Sequence, residues 1–218
     1  MFNELVVARM ATAIGLPWPA ARVGRLSMND LSAADRVSIG DTYDAVVCLE
    51  YLPDLIAIPQ PPGSDYGSAA WNSGPLLQQF QCARAPSAFY GRHVIEIWAN
   101  LEDCKFDTLH KRRDGSPVFL DGGAAFGYVP GGGGASTISS VASYSPRSPY
   151  LPGVLNDPTA YDEWLERVAT LGESEAAGLT CGIPSDWGVP AELVAEVEQF
   201  VTFRRDEFVH NFREYGLS

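Results

Sequence analysis

The order of the sequence patterns along the chain constrains the fold more than any other feature. Short apolar runs typical of strands all fall in the first 120 residues, at 20–27, 41–51 and 118–120. The last third is patterned as helix, with Asp157 and Pro158 predicting one helix start and a longer helix predicted over 190–215. Strands early and helices late predict an α+β architecture with a mostly helical C-terminal part.

Further helices and two long loops complete this outline. Apolar spacing predicts helices over 2–15, 75–83, 87–99 and 173–180. In the first of these, Gly15 followed by Pro17 indicates the stop. The segments 54–75 and 127–153 are rich in Gly, Ser and Pro. They therefore predict loops, and a loop as long as the second is typically either functional or disordered.

The net charge limits the classes of ligand that the chain can bind. Its 218 residues include 15 Lys and Arg against 27 Asp and Glu, for a net charge of −12. Gripping nucleic acid by its phosphates, or docking on an anionic membrane, requires clustered basic residues. We therefore expect neither partner. A phosphorylated ligand would need a local positive charge, and a divalent cation is the obvious source.

The cysteines and the N-terminal segment indicate the compartment. The four cysteines show no CxxC pair and no zinc-ligand spacing, which fits a reducing environment. The N-terminal segment lacks the apolar core of a signal peptide. No apolar run approaches the roughly 20 residues that a membrane-spanning helix needs. We expect a soluble cytoplasmic protein.

Four acidic residues surround one strand-turn-strand unit in the middle of the chain. They are Glu102, Asp103, Asp107 and Asp121. Carboxylate oxygens are hard ligands of the kind Mg²⁺ prefers, and the two glycines after Asp121 allow the backbone to approach a phosphate. The alternative is a solvated hairpin with Asp114-Gly115 as its turn and Asp121 as a plain turn residue. The spacing alone leaves both interpretations open.

Several blocks, taken in order, carry a family resemblance. They are NELVVARMATAIGLPWPAA at 3–21, CLEYLPD at 48–54, WANLEDCKFDTL at 98–109, VFLDGGAAFG at 118–127, IPSDW at 183–187 and FVTFRRDEF at 200–208. Together they resemble the HipA-like kinase family of bacterial Ser/Thr kinases, which is distantly related to the phosphatidylinositol kinases. The resemblance implies a protein-kinase-like C-lobe.

The resemblance also implies a division of the chain. Residues 1–55 would be a small N-lobe remnant made of a helix, strands and a hinge. Residues 56–218 would be the helical C-lobe. Its functional parts would be a catalytic-type loop at 98–109, a metal-binding segment at 117–127 and a flexible loop at 127–153.

The resemblance assigns roles residue by residue. Asp121 falls on the metal-binding Asp, and Asp107 on the position of a metal-binding Asn. Glu102 falls on the catalytic base, with Asp103 as the alternative if the loop is shifted by one residue. Glu4 falls on the helix acid that orients a nucleotide-binding Lys. The remaining predicted nucleotide-binding residues are Glu50, Tyr51, Leu52 and Lys105.

The implied activity is transfer of phosphate from ATP, with Mg²⁺, to Ser or Thr of a protein substrate. The chain departs from the family at several points. The resemblance begins after the family's small β-lobe, there is no G-x-G-x-x-G loop, and the two lysines are Lys105 and Lys111. We therefore predict a HipA-like phosphotransferase that is truncated or weakly active, or completed by a separate N-lobe subunit. The alternative prediction is a pseudokinase acting as a binding or regulatory module.

Other conspicuous residues favour structural roles. His93 lies on a helix predicted to be buried and is expected to be a core histidine. Trp98 and Trp187 are expected to pack in the core. The Arg204-Arg205 pair on the last helix is expected to form a solvated face, with contact to acids on a neighbouring helix as the alternative.

Overall fold

The computed structural model describes residues 1–27, 29, 31–33, 45–58, 85–101, 108–126, 155 and 157–215. Several predictions lie outside these residues. They are the helix at 75–83, the loop at 127–153 and the candidate site residues Glu102, Asp103, Lys105 and Asp107. The proposed roles of those four residues therefore stay predictions.

The described elements alternate between helices and short strands. In the first part they are α1 (Phe2–Ala13), β1 (Ala21–Arg25), β2 (Ala45–Leu49), β3 (Ile56–Ala57), α2 (Ala85–Trp98), β4 (Leu109–Lys111) and β5 (Pro117–Phe119). After these come a 3-10 turn (Pro158–Tyr161), α3 (Asp162–Ala169), α4 (Glu173–Gly178), a second 3-10 turn (Ser185–Trp187) and α5 (Ala191–Tyr215). The mixed α+β prediction is confirmed at this level.

Helix α1 is buried along most of its length and ends where the sequence predicts. The amide of Gly15 donates to Thr12 O (3.0 Å), and the amide of Leu16 donates to Ala11 O (2.9 Å). Gly15 has a φ of +71°. This is the left-handed Schellman stop that glycine favours after a helix. The stop turns the chain so that Pro17 O accepts from the Phe119 amide of β5 at 2.9 Å.

The strands form two small antiparallel sheets. β1 pairs with β2, with Ala21 opposite Leu49, and the second sheet has the order β3-β4-β5. The sequence predicts a buried strand over 41–51, but the described strand is mostly half-buried, with only Ala45 fully buried. An antiparallel sheet can pack one face on the core and leave the other in solvent, so the apolar run of β2 is only half-buried.

Helix α2 is the centre of the core and is surrounded by α1, β5, α3 and α5. Trp98 donates its indole N–H to Val201 O of α5 at 3.0 Å, which confirms its packing role. His93 Nδ1 lies 2.5 Å from the Tyr161 hydroxyl, so its prediction as a core histidine is also confirmed. Burial raises the pKa of Tyr161. The Tyr161 hydroxyl therefore stays protonated in its hydrogen bond with His93.

The prediction of a solvated face on α5 was wrong for Arg204. Its side chain is 3% exposed, and its guanidinium donates to Ile97 O near the end of α2. It also lies 4.8 Å from the Phe200 ring centroid. The last carbonyls of a helix lack intrahelical donors and carry partial negative charge, so a cation is favoured there. Spacing on α5 alone cannot reveal that α2 ends beside it.

The C-terminal elements follow the prediction with one change. Asp157 caps the predicted helix start, accepting from the Thr159 amide at 2.9 Å. The first turn is 3-10 before α3 begins at Asp162. Trp187 is buried and donates to Ala45 O at 2.7 Å, which ties this region to β2. Among the described helices, none is long and apolar enough to cross a membrane.

Candidate functional site

The first turn of α1 holds the Asp121-Gly122-Gly123 turn that follows β5. Asn3 Nδ2 donates to Gly123 O at 3.0 Å and to Ala125 O at 2.9 Å. Glu4 Oε2 accepts from the Gly122 amide at 2.7 Å. Hydrogen bonds to a charged group are stronger than neutral ones. These contacts bring the predicted helix acid and the predicted metal-binding acid into one site, although they are far apart in sequence.

Gly122 allows the backbone of the turn to approach α1 closely. A Cβ added at Gly122 would lie 2.5 Å from Val7 Cβ. Non-bonded carbons prefer separations of about 3.5–4.0 Å, so no larger residue fits without a backbone shift. The glycine is therefore required by packing against the helix, which is a different reason from the phosphate approach expected from the sequence.

Asp121 has an uncommon backbone conformation. Its φ is +64°, in the left-handed region that non-glycine residues seldom adopt. The cost is partly offset because its Oδ1 accepts from the Gly123 amide at 3.2 Å, and Asp tolerates this region better than most residues. The side chain is exposed. Backbone outliers held in place by their surroundings cluster at functional sites, and Asp121 presents its carboxylate to solvent in this way.

The base of the site is fixed from β5 and from α2. The Leu120 amide donates to Thr108 O at 2.9 Å, which closes the strand end just before Asp121. Below it, the Arg92 guanidinium of α2 lies 4.9 Å from the Trp18 ring centroid and 5.7 Å from that of Phe119. These contacts join α2, β5 and the segment that follows α1, so the strand that leads to Asp121 is packed against buried side chains.

The electrostatics of the site are dominated by Glu4. Burial raises the pKa of Glu4, and the nearby Asp121 carboxylate raises it further. The Gly122 amide, the N-terminal ammonium and the Trp18 indole oppose this rise. Glu4 Oε1 is buried, and neither it nor the Trp18 indole N–H, which is close enough to lower the pKa of Glu4, forms a hydrogen bond of regular geometry in the described parts of the chain. Two adjacent carboxylates with an unsatisfied buried oxygen are a site that a cation would stabilise.

The hinge residues predicted from the resemblance lie between β2 and β3. The Glu50 amide donates to Ala20 O at 2.8 Å, while its carboxylate lies 3.4 Å from the Ala20 amide. Tyr51 is 85% exposed and Leu52 is buried. Within the described ranges, the contacts of these residues do not reach Glu4 or Asp121. The hinge role of this segment therefore stays a prediction.

A complete metal centre is not visible in the described residues. They include no group of three or more His, Cys, Asp or Glu placed to hold a metal ion. Asp107, the predicted partner of Asp121, is outside the described ranges. The carboxylate oxygens of Asp121 are exposed hard donors, so they fit a divalent cation such as Mg²⁺.

Asn3 is the residue of this site that the sequence analysis missed. It belongs to the Asn-Glu-Leu block of the resemblance, yet no role followed for it. The available signal was a polar side chain beside apolar ones in the first turn of a largely apolar helix; the structure shows that Asn3 is 7% exposed, so its amide needs hydrogen-bond partners. The sequence could not reveal which backbone carbonyls the amide would reach.

Comparison with known proteins assigns no family. No protein-family model matches the chain, and no curated protein matches it. Inference about function therefore depends on the order of the motifs and on the geometry of the Asp121 turn.

Proposed function

We propose that the protein is a HipA-like phosphotransferase that uses ATP and Mg²⁺ to phosphorylate Ser or Thr of a protein substrate. One observation carries the proposal. Glu4 of α1 accepts from Gly122 at 2.7 Å beside the exposed, left-handed Asp121. The resemblance assigns Glu4 to the helix acid and Asp121 to the metal-binding Asp, and the blocks that carry them, 3–21 and 118–127, lie far apart in the sequence.

The residues would divide the work as follows. Asp121 and Asp107 would hold the metal, and Glu102 or Asp103 would orient the acceptor hydroxyl. When bound, Mg²⁺ would offset the negative charge of the phosphates, which electrostatic catalysis of phosphoryl transfer requires. Asn3 would fix the position of the Asp121 turn relative to α1 through its hydrogen bonds to Gly123 O and Ala125 O. This positioning matters because small misplacements at a reacting centre are costly in rate.

A positive charge is still needed to balance the polyphosphate. Glu4 Oε1 is a buried acceptor that forms no regular hydrogen bond in the described residues, so a cation beside it would compensate its charge. The proposal therefore includes an ammonium group from a separate N-lobe subunit as the completing partner. Lys111 belongs to the far end of β4, next to the hairpin turn, and so does not suit this role.

The test is thermal unfolding with ATP alone, Mg²⁺ alone and both together. A ligand that binds only the folded state adds about 2.7 kcal/mol at a hundredfold excess over its Kd. We expect stabilisation that requires both ligands and disappears in Asp121→Ala. Asp206→Ala is the matched control, since it removes an exposed aspartate from α5. Equal stabilisation of wild type and Asp121→Ala would contradict the proposal.

A second candidate is a pseudokinase that binds nucleotide without turnover. It is favoured by the departures from the family pattern, since the chain shows no G-x-G-x-x-G loop and its two lysines are Lys105 and Lys111. The two candidates differ in one assay. Formation of ADP and of phosphoserine or phosphothreonine, lost in Asp121→Ala, favours the enzyme. Metal-dependent nucleotide binding with no ADP formed favours the pseudokinase.

A further inference from the structure

The turn between β4 and β5 concentrates positive charge in an acidic chain. The sequence there reads LHKRRDGSPVF over 109–119, with Lys111, Arg112 and Arg113 in succession. The whole chain carries 27 acidic residues and a net charge of −12. A basic run against this background is a local reversal of the protein's electrostatic potential. Such a run is usually only solvated. Whether it can bind a partner depends on the conformation and contacts of the turn.

The turn is rigid, which gives the basic run a fixed shape. The Arg112 amide donates to Ser116 O at 2.9 Å, and the Gly115 amide donates to Arg112 O at 3.0 Å. Asp114 Oδ1 accepts from the Ser116 amide (2.9 Å) and hydroxyl (2.7 Å). These bonds, the Ser116 hydroxyl first, lower the pKa of Asp114, with a smaller contribution from Arg112. The one acid of the turn is thus engaged within it.

The two arginines are available to a partner. Arg113 is exposed and Arg112 is half-buried, and neither forms an ion pair in the described residues. Ile56 pairs with Lys111 in the neighbouring strand and is 43% exposed. Asp54, two residues before Ile56, is half-buried and forms no ion pair with either arginine in the described part of the chain. We call Ile56, Arg112 and Arg113 the hairpin patch.

We propose that the hairpin patch docks an acidic polypeptide segment of a partner protein. Paired arginines recognise carboxylates well, because each guanidinium presents a rigid fork of donors. The adjacent Ile56 would cover an apolar side chain of the same segment. Nucleic acid and anionic membranes are long polyanions, and they would meet the negative field of the remaining surface. A short acidic segment would meet mainly the local positive charge.

The docking is separate from the proposed phosphotransfer. Five steps of extended chain lead from Ser116 to Asp121, a span of up to about 16 Å at 3.3 Å per residue. That is roughly twice the screening length of about 8 Å at physiological salt. Binding of the acidic segment should therefore not depend on Asp121 or on any nucleotide.

The test is fluorescence anisotropy with a labelled peptide of alternating Glu and Val, and with a Gln–Val peptide as the uncharged control. The variant is Arg112→Glu/Arg113→Glu. The matched control is Arg22→Glu/Arg25→Glu, which reverses two exposed arginines of β1. Each Arg→Glu removes one positive and adds one negative charge, so both double variants lower the net charge by the same four units. Arg112→Gln/Arg113→Gln provides a milder variant if the reversal impairs folding.

We expect the acidic peptide to bind wild type and Asp121→Ala with equal affinity. The affinity should fall as the salt concentration rises. The Arg112/Arg113 reversal should weaken it at least about tenfold, or 1.4 kcal/mol. The Arg22/Arg25 reversal should change it by less than about threefold, because that charge lies elsewhere. Equal losses in the two reversals would overturn the proposal. So would tighter, patch-dependent binding of an RNA oligonucleotide or of phosphatidylserine vesicles.

Discussion

Replacing Asn3 by Leu should destabilise the fold by removing the link between α1 and the Asp121 turn. The two side chains are similar in size, so the main loss is the two hydrogen bonds to Gly123 O and Ala125 O. An unsatisfied buried acceptor costs about 1–3 kcal/mol, and a typical hydrogen bond about 0.5–1.5 kcal/mol. The Ala125 bond is buried and the Gly123 bond is partly buried. We therefore expect a loss of about 2–4 kcal/mol.

The assay is urea unfolding followed by tryptophan fluorescence, because Trp18 and Trp98 are buried in the folded protein. The control is Thr12→Val. Its hydroxyl donates to Ala8 O within α1 at 2.8 Å, where the helix already supplies a donor. That loss should be below about 0.5 kcal/mol. The unfolding slope should be unchanged in both variants, since neither alters the area exposed on unfolding.

A second readout separates positioning from stability. Asn3→Leu should weaken the stabilisation by ATP and Mg²⁺, whereas Thr12→Val should leave it at the wild-type value. If Asn3→Leu costs no more than Thr12→Val, the turn is not held by α1, and the reasoning that places Asp121 through Asn3 fails.

Two further predictions concern the same contacts. Burial raises the pKa of Glu4, so stability from its protonated form is full below the ordinary pKa of 4.5 and is lost as pH rises through the raised value. Glu4→Gln should flatten the pH dependence of the melting temperature in that window, and an unchanged pH profile would argue against a buried, titrating Glu4. Gly122→Ala should cost about 1–3 kcal/mol by overpacking against Val7. Val7→Ala should not rescue it in a double-mutant cycle, because alanine keeps the Cβ that lies 2.5 Å away; full rescue would show that the clash is with the outer methyl groups.

Much of the helical framework was predictable because its signals are local. Gly15 ends α1, Asp157 with Pro158 starts the C-terminal helices, and Asp114-Gly115 turns the β4–β5 hairpin. In each case the residue acts on backbone groups only a few positions away. Such signals do not depend on how the rest of the chain packs.

The candidate site was predictable only in part. Asp121 was expected at the end of a strand, and the structure places it there. Its left-handed backbone was not expected, and Asn3 had no predicted role. Arg204 was expected on a solvated face, whereas its acceptor is Ile97 O on another helix. Side chains whose partners lie on distant segments cannot be interpreted from spacing.

The sequence by itself determined the stop of α1 at Gly15, the cap at Asp157, the hairpin turn at Asp114-Gly115, and the acidic character of the segment around Asp121. Only the tertiary structure decided that Asn3 and Glu4 form hydrogen bonds with the turn after Asp121. It also decided that Val7 packs so closely that position 122 must be glycine. The physical reason is range: capping and turn formation involve neighbours in the chain, whereas burial, hydrogen-bond satisfaction and close packing depend on which distant segments meet.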